Sequence, residues 1–80
     1  MIIATVIGKL EPKCSVRGFE EIRWIRTQAD GRILVAADPL GAEAGQLVLL
    51  AQGSAAGHYR MDYCCDTLVV AVLDDQAKNG

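Results

Sequence analysis

The chain has 80 residues, enough for one domain with a small core, and a chain of this size buries only about 60–65% of its unfolded surface. It is 51% hydrophobic but only 5% aromatic, so the apolar content is Val, Leu, Ile and Ala with a single Trp24. A net charge of −2, with bases scattered from Lys9 and Lys13 through Arg17, Arg23, Arg26 and Arg32 to Arg60 and Lys78, excludes the clustered basic footprint that nucleic-acid binding needs.

The predicted elements are strands. The first spans Ile2 to Leu10, with Ile2, Ala4, Val6, Gly8 and Leu10 on one face and Ile3, Thr5, Ile7 and Lys9 on the other. Glu11-Pro12-Lys13 ends it, because Pro cannot donate to a strand ladder. The second runs from Glu21 to Thr27, where Ile22 and Trp24 alternate with Glu21 and Arg23. Asp30-Gly31 predicts a hairpin and an antiparallel return over Arg32 to Asp38. Pro39 to Gly45 is a loop with room for one helical turn through Ala42-Glu43-Ala44. The fourth strand spans Gln46 to Gln52. Gly53 to Arg60 reads as a corner, with Ser54 as N-cap of one short helix. The fifth strand, Thr67 to Leu73, is rich in β-branched residues. Residues 1–74 form the expected domain and 75–80 a polar tail.

Five short antiparallel strands at close spacing predict an all-β, OB-like barrel, since closure removes exposed sheet edges. Its fourth and fifth strands are apolar on both faces. Leu47, Leu49 and Ala51 oppose Val48 and Leu50, while Leu68, Val70 and Val72 oppose Val69, Ala71 and Leu73. A barrel has one inside. With no helix to cover the outer face, a neighbouring subunit is the expected cover, and each apolar side chain so buried contributes on the order of 1.5–3 kcal/mol. Ile3, Ile7, Val48, Leu50, Val69 and Leu73 are the residues assigned to that contact.

Leu47 to Ala51 and Leu68 to Leu73, the longest apolar runs, fall far short of the ~20 residues of a membrane-spanning helix. Met1-Ile2-Ile3 lacks the charged start of a signal peptide. The three cysteines, Cys14, Cys64 and Cys65, read as reduced thiols, since adjacent cysteines bridge only under strain. A cytoplasmic setting follows as the expectation.

Candidate chemistry is sparse. Ser54 and His58 with Asp62 or Asp66 suggest a hydrolase, but the spacing is not that of a nucleophile elbow. Cys14, His58, Cys64 and Cys65 suggest zinc, but without a C-x-x-C knuckle. The Gly41–Gly45 loop lacks the Gly-Lys-Ser/Thr ending of a phosphate cradle, and Glu43 repels an anion. Glu20-Glu21 and Asp74-Asp75 are adjacent pairs that read as solvated charges. Trp24 with Tyr59 and Tyr63 leaves one alternative, an OB-like barrel that stacks single-stranded nucleic acid or oligosaccharide on its aromatics. No catalytic, metal or cofactor site is assigned.

An ordered set of segments carries a family resemblance over nearly the whole chain. These are Ile3-Ala4-Thr5-Val6-Ile7-Gly8, the turn Asp30-Gly31, and Val35-Ala36-Ala37-Asp38-Pro39-Leu40-Gly41-Ala42-Glu43-Ala44-Gly45-Gln46-Leu47-Val48-Leu49-Leu50. The corner Gly53-Ser54-Ala55-Ala56-Gly57 and the apolar run between Asp66 and Asp74 complete it. The chain resembles the EutN/CcmL family of bacterial microcompartment vertex proteins. That resemblance implies a structural, non-enzymatic protein in the shell of a cytoplasmic microcompartment. It also implies a homo-pentamer at the shell vertices, meeting hexameric and trimeric shell proteins, with no nucleic-acid or membrane partner. Asp38, Gly41 and Gly45 fall in the family's loop, and Gly53, Ser54, Ala55, Ala56 and Gly57 are placed at a subunit contact or the axial opening. The chain departs from the pattern where Ala55 and Gly57 replace the second Ser and the Arg of a Gly-Ser-Ser-Ala-Arg corner, and where Cys64-Cys65 stands in place of a Pro.

Overall fold

A computed structural model describes residues 1–14, 17, 21–53 and 66–74. Five strands follow in chain order, β1 (Ile2–Leu10), β2 (Trp24–Ala29), β3 (Arg32–Ala37), β4 (Leu47–Gln52) and β5 (Thr67–Leu73). They close into a barrel in the order β1-β2-β3-β5-β4, with β4 paired back onto β1.

All strand contacts are antiparallel except one. β3 and β5 run parallel and meet at Ala37 and Leu68. A ring with an odd number of strands cannot alternate direction at every contact, so the all-antiparallel expectation fails on parity alone. Pairing at this seam is confined to one register point.

The hairpin turn lies at Asp30-Gly31, with φ of 49° and 75°. Both values are positive, as a two-residue type I′ turn requires. So tight a turn needs pairing up to its edge. β2 therefore runs on to Ala29, opposite Arg32, and begins at Trp24 rather than Glu21. Its inward set is Ile25, Thr27 and Ala29. Thr27 is buried, and its hydroxyl donates to the Leu34 carbonyl at 2.9 Å.

Two irregularities change which side chains share a face. In β1 the register slips between Val6 and Gly8, leaving Ile7 as the extra residue. Ile2, Ala4 and Val6 face the main core, but Leu10 packs with the second cluster on the opposite face. In β5, Leu50 pairs with Val69 and Leu49 with Ala71, leaving Val70 unpaired. A bulge bends its strand and increases the local twist, which a tightly curved five-strand barrel demands.

The barrel interior holds Ala4, Val6, Ile25, Ala29, Ala36, Ala42, Val48, Leu50 and Val69. A smaller cluster lies on the outer face, where Trp24 packs with Ala37, Ala51 and Leu68. Strand register makes these residues neighbours, since Trp24 is level with Ala37, Ala37 with Leu68 and Leu68 with Ala51. Among the described residues there is no helix. The helical turn expected at Ala42-Glu43-Ala44 is absent, with a turn at Ala44-Gly45 instead. The expected helical corner after Gly53 and the tail from residue 75 lie outside the described residues.

Candidate functional site

The β3–β4 connection, Asp38 to Gln46, is organised by one carboxylate. Asp38 is 1% exposed. Its Oδ1 accepts from the backbone N–H of Leu40 at 3.0 Å and of Gly41 at 3.1 Å. Its Oδ2 accepts from the Ala42 N–H at 2.7 Å and from Arg23 Nε at 3.0 Å. Arg23 Nη2 also donates to the Ala42 carbonyl at 2.7 Å. The loop therefore wraps an anion that belongs to the chain itself. Amides that would otherwise be free to cradle a phosphate are already satisfied, which removes the phosphate reading on physical grounds. They cannot wind into a helix either, because their donors are committed to Asp38.

The same loop is tied to β1. The Gly45 N–H donates to the Val6 carbonyl at 2.8 Å, and the Val6 N–H to the Gln46 carbonyl at 2.9 Å. Gln46 closes the loop on itself, its N–H donating to the Glu43 carbonyl and its Oε1 accepting from the Glu43 N–H. Ala42 at the apex enters the main core. Gly41 and Gly45 carry φ of 76° and 91°. A methyl group at Gly45 would meet nothing within 4 Å. Gly45→Ala is thus expected to cost only the backbone preference, about 1–2 kcal/mol, read as a lower urea midpoint at unchanged slope.

Arg23 is the residue that sequence reading missed, and the signal was present. The two-residue turn fixes the β2–β3 register, with Trp24 opposite Ala37. One further step puts Arg23 opposite Asp38, and the Asp38 N–H donates to the Arg23 carbonyl at 2.8 Å.

The six residues assigned to a subunit contact divide. Ile3 and Ile7 point outward and are 61% and 38% exposed. Leu73 is half-buried. Val48, Leu50 and Val69 are fully buried inside the barrel of a single chain, which leaves a neighbour nothing to cover. The outward residues of β4 are instead the half-buried Leu47 and Leu49. In the Gly53–Gly57 corner only Gly53 is described, with φ of 60° and its N–H donating to the Asp66 carbonyl at 2.7 Å. Ser54, Ala55, Ala56 and Gly57 lie outside the described residues, as do His58, Tyr59, Tyr63, Cys64 and Cys65.

The stacking alternative needs an exposed Trp24, and the indole is buried in the outer cluster. Cys14 is a free, exposed thiol. Among the described residues no group of acids, Cys and His could hold a metal ion, and no helix is long and apolar enough to cross a membrane.

Residues 1–74 match the profile of the family described as "Ethanolamine utilisation protein EutN/carboxysome". The chain belongs to the EutN/CcmL family. No curated protein matches by sequence. Among solved structures, CsoS4B from Halothiobacillus neapolitanus is 25% identical with a TM-score of 0.81, over 92% of this chain and 100% of that one. The pentameric shell protein MSM0273 from the RMM microcompartment is 28% identical with a TM-score of 0.81, over 95% and 93% of the two chains. CcmL from Nostoc sp. PCC 7120 is 31% identical with a TM-score of 0.78, over 92% and 89%. Within this EutN/CcmL chain the Asp38–Gly45 segment, which carried the resemblance, is a self-satisfied structural loop. Its acid, its two positive-φ glycines and its buried Ala42 each have a conformational task there.

Proposed function

We propose that this chain is a structural shell protein whose five-membered rings close the vertices of a bacterial microcompartment. One observation carries the reading: the closed five-strand barrel superposes over nearly its full length on a pentameric microcompartment shell protein. Hexagonal tiles alone make a flat sheet, and a closed polyhedral shell requires pentagons. Hexameric and trimeric shell proteins are therefore the partners, and the shell lies in the cytoplasm. The role needs no reacting group and no cofactor. It needs a rigid wedge with uncovered faces, which the barrel with its outward Ile3, Ile7, Ile33 and Val35 supplies. The small residues of the Gly53–Gly57 corner suit the ring axis or a neighbouring subunit, where close backbone approach favours residues without bulk.

Light scattering or native mass spectrometry on the full chain tests the ring. The expected species at micromolar concentration has five times the 8.6 kDa mass of the protomer. A stable monomer at that concentration refutes the proposal.

A further inference from the structure

The strand contacts that close the barrel are unequal. β1–β2, β1–β4, β2–β3 and β4–β5 each pair over several register points. Among the described residues β3 and β5 meet only at Ala37 and Leu68. That contact is also the parallel one, and parallel pairing is slightly less stable per residue. The loop that follows β3 cannot extend the pairing, because the N–H groups of Leu40, Gly41 and Ala42 are committed to Asp38.

Side chains lie where backbone bonds are few. Along one level of the outer face the order is Trp24 on β2, Ala37 on β3, Leu68 on β5 and Ala51 on β4. All four are buried and pack as one cluster. Ala37 brings only a methyl group, so the bulk on the two sides of the seam comes from Trp24 and Leu68. The cluster thereby ties β2 to β5, strands that share no backbone pairing.

We propose that this cluster is a latch: the barrel opens reversibly at the β3–β5 seam, which Trp24 holds shut from outside, while the other strand pairs stay intact. The open form is a sheet in the order β3-β2-β1-β4-β5, with β3 and β5 at its ends. Opening of this kind is sub-global and needs less free energy than complete unfolding. It turns β3 and β5 into edge strands, the kind that can accept another chain.

Two neighbouring amides report the opening. The Asp38 N–H is turned to the Arg23 carbonyl before β2, and successive N–H groups of a strand alternate in direction. The Ala36 N–H is therefore turned to β2, opposite Ile25, and the Ala37 N–H to the β5 side. Both are fully buried alanines, so intrinsic chemistry separates their exchange little.

Hydrogen exchange resolved by NMR on the full chain is the test. The Ala37 N–H is expected to exchange about tenfold faster than that of Ala36, because it is freed by seam opening as well as by unfolding. Its rate is also expected to depend less on urea, since the opening exposes less surface. Trp24→Phe is expected to speed Ala37 exchange by about another tenfold, because the open form has already lost the contact that the substitution weakens. If that variant fails to fold, Leu68→Val weakens the latch from the other side of the seam, and the wild-type comparison of the two amides stands without either. Equal rates and equal urea dependence at Ala36 and Ala37 overturn the proposal. So does an Ala37 rate that a folded Trp24→Phe or Leu68→Val protein leaves unchanged, since the indole cluster would then not hold the seam.

Discussion

Asp38→Ala is expected to destabilise the barrel by about 2–4 kcal/mol, less than the full cost of breaking a buried ion pair because the Arg23 side chain is 34% exposed. The variant removes the acceptor for three backbone N–H groups, those of Leu40, Gly41 and Ala42, together with the partner of Arg23 Nε. The Ala42 donor is buried and costs about 1–3 kcal/mol when left without an acceptor, whereas the part-buried Leu40 and Gly41 amides regain water in part. The loss propagates, because Ala42 is held in the core by the same carboxylate. Since a domain of this size has only about 5–10 kcal/mol in total, the variant is expected to be largely unfolded at moderate urea. Asp38→Asn separates shape from charge. Its one remaining oxygen can serve Leu40 and Gly41, while its amide group faces the donors of Ala42 and Arg23, so an intermediate loss is expected. Urea unfolding at matched protomer concentration measures both, since assembly adds to apparent stability. An Asp38→Ala protein within about 0.5 kcal/mol of wild type, the usual span of an uninvolved surface substitution, would show that the carboxylate does not hold the loop.

The second large effect belongs to Leu50. It is among the largest fully buried side chains, and Leu50→Ala is expected to cost about 2–5 kcal/mol from lost transfer energy and the cavity left behind. Its neighbour Leu49 lies on the outward, half-buried side of the same strand. Leu49→Ala is expected to leave the unfolding of a single barrel close to wild type and to act on assembly instead. Paired denaturation and light-scattering measurements separate the two. Equal losses of barrel stability at both positions would contradict the observed phase of β4.

That phase was the part of the fold hardest to read. An alternating strand announces its buried face through the polar residues on the other, as β1 does with Thr5 set against Ala4 and Val6. Leu47 to Ala51 has no polar residue to mark either face, so inward and outward are equivalent in the sequence. Val48 and Leu50 lie inside, against the expectation of an outer contact. In β5 Thr67, Leu68 and Val69 are buried in succession because the outer cluster covers Leu68, and the bulge at Val70 then breaks the period. The Asp38 loop was legible as a unit, through Pro39, Gly41 and Gly45. Its chemistry was not, because the decisive bond joins residues 15 positions apart.

Local sequence determined where this chain extends and where it turns. Pro12 ends β1, Asp30-Gly31 sets both the hairpin and its register, and the β-branched run makes β5. The ordered segments from Ile3 to Asp74 placed it in its family. Parity also required one parallel contact in any closed five-strand ring. The tertiary structure alone decided which face of each all-apolar strand became the core, where the two bulges fell, and that Arg23 would meet Asp38. Those outcomes depend on barrel curvature and closure, which act between strands distant in the chain and leave no mark in the alternation of any one of them.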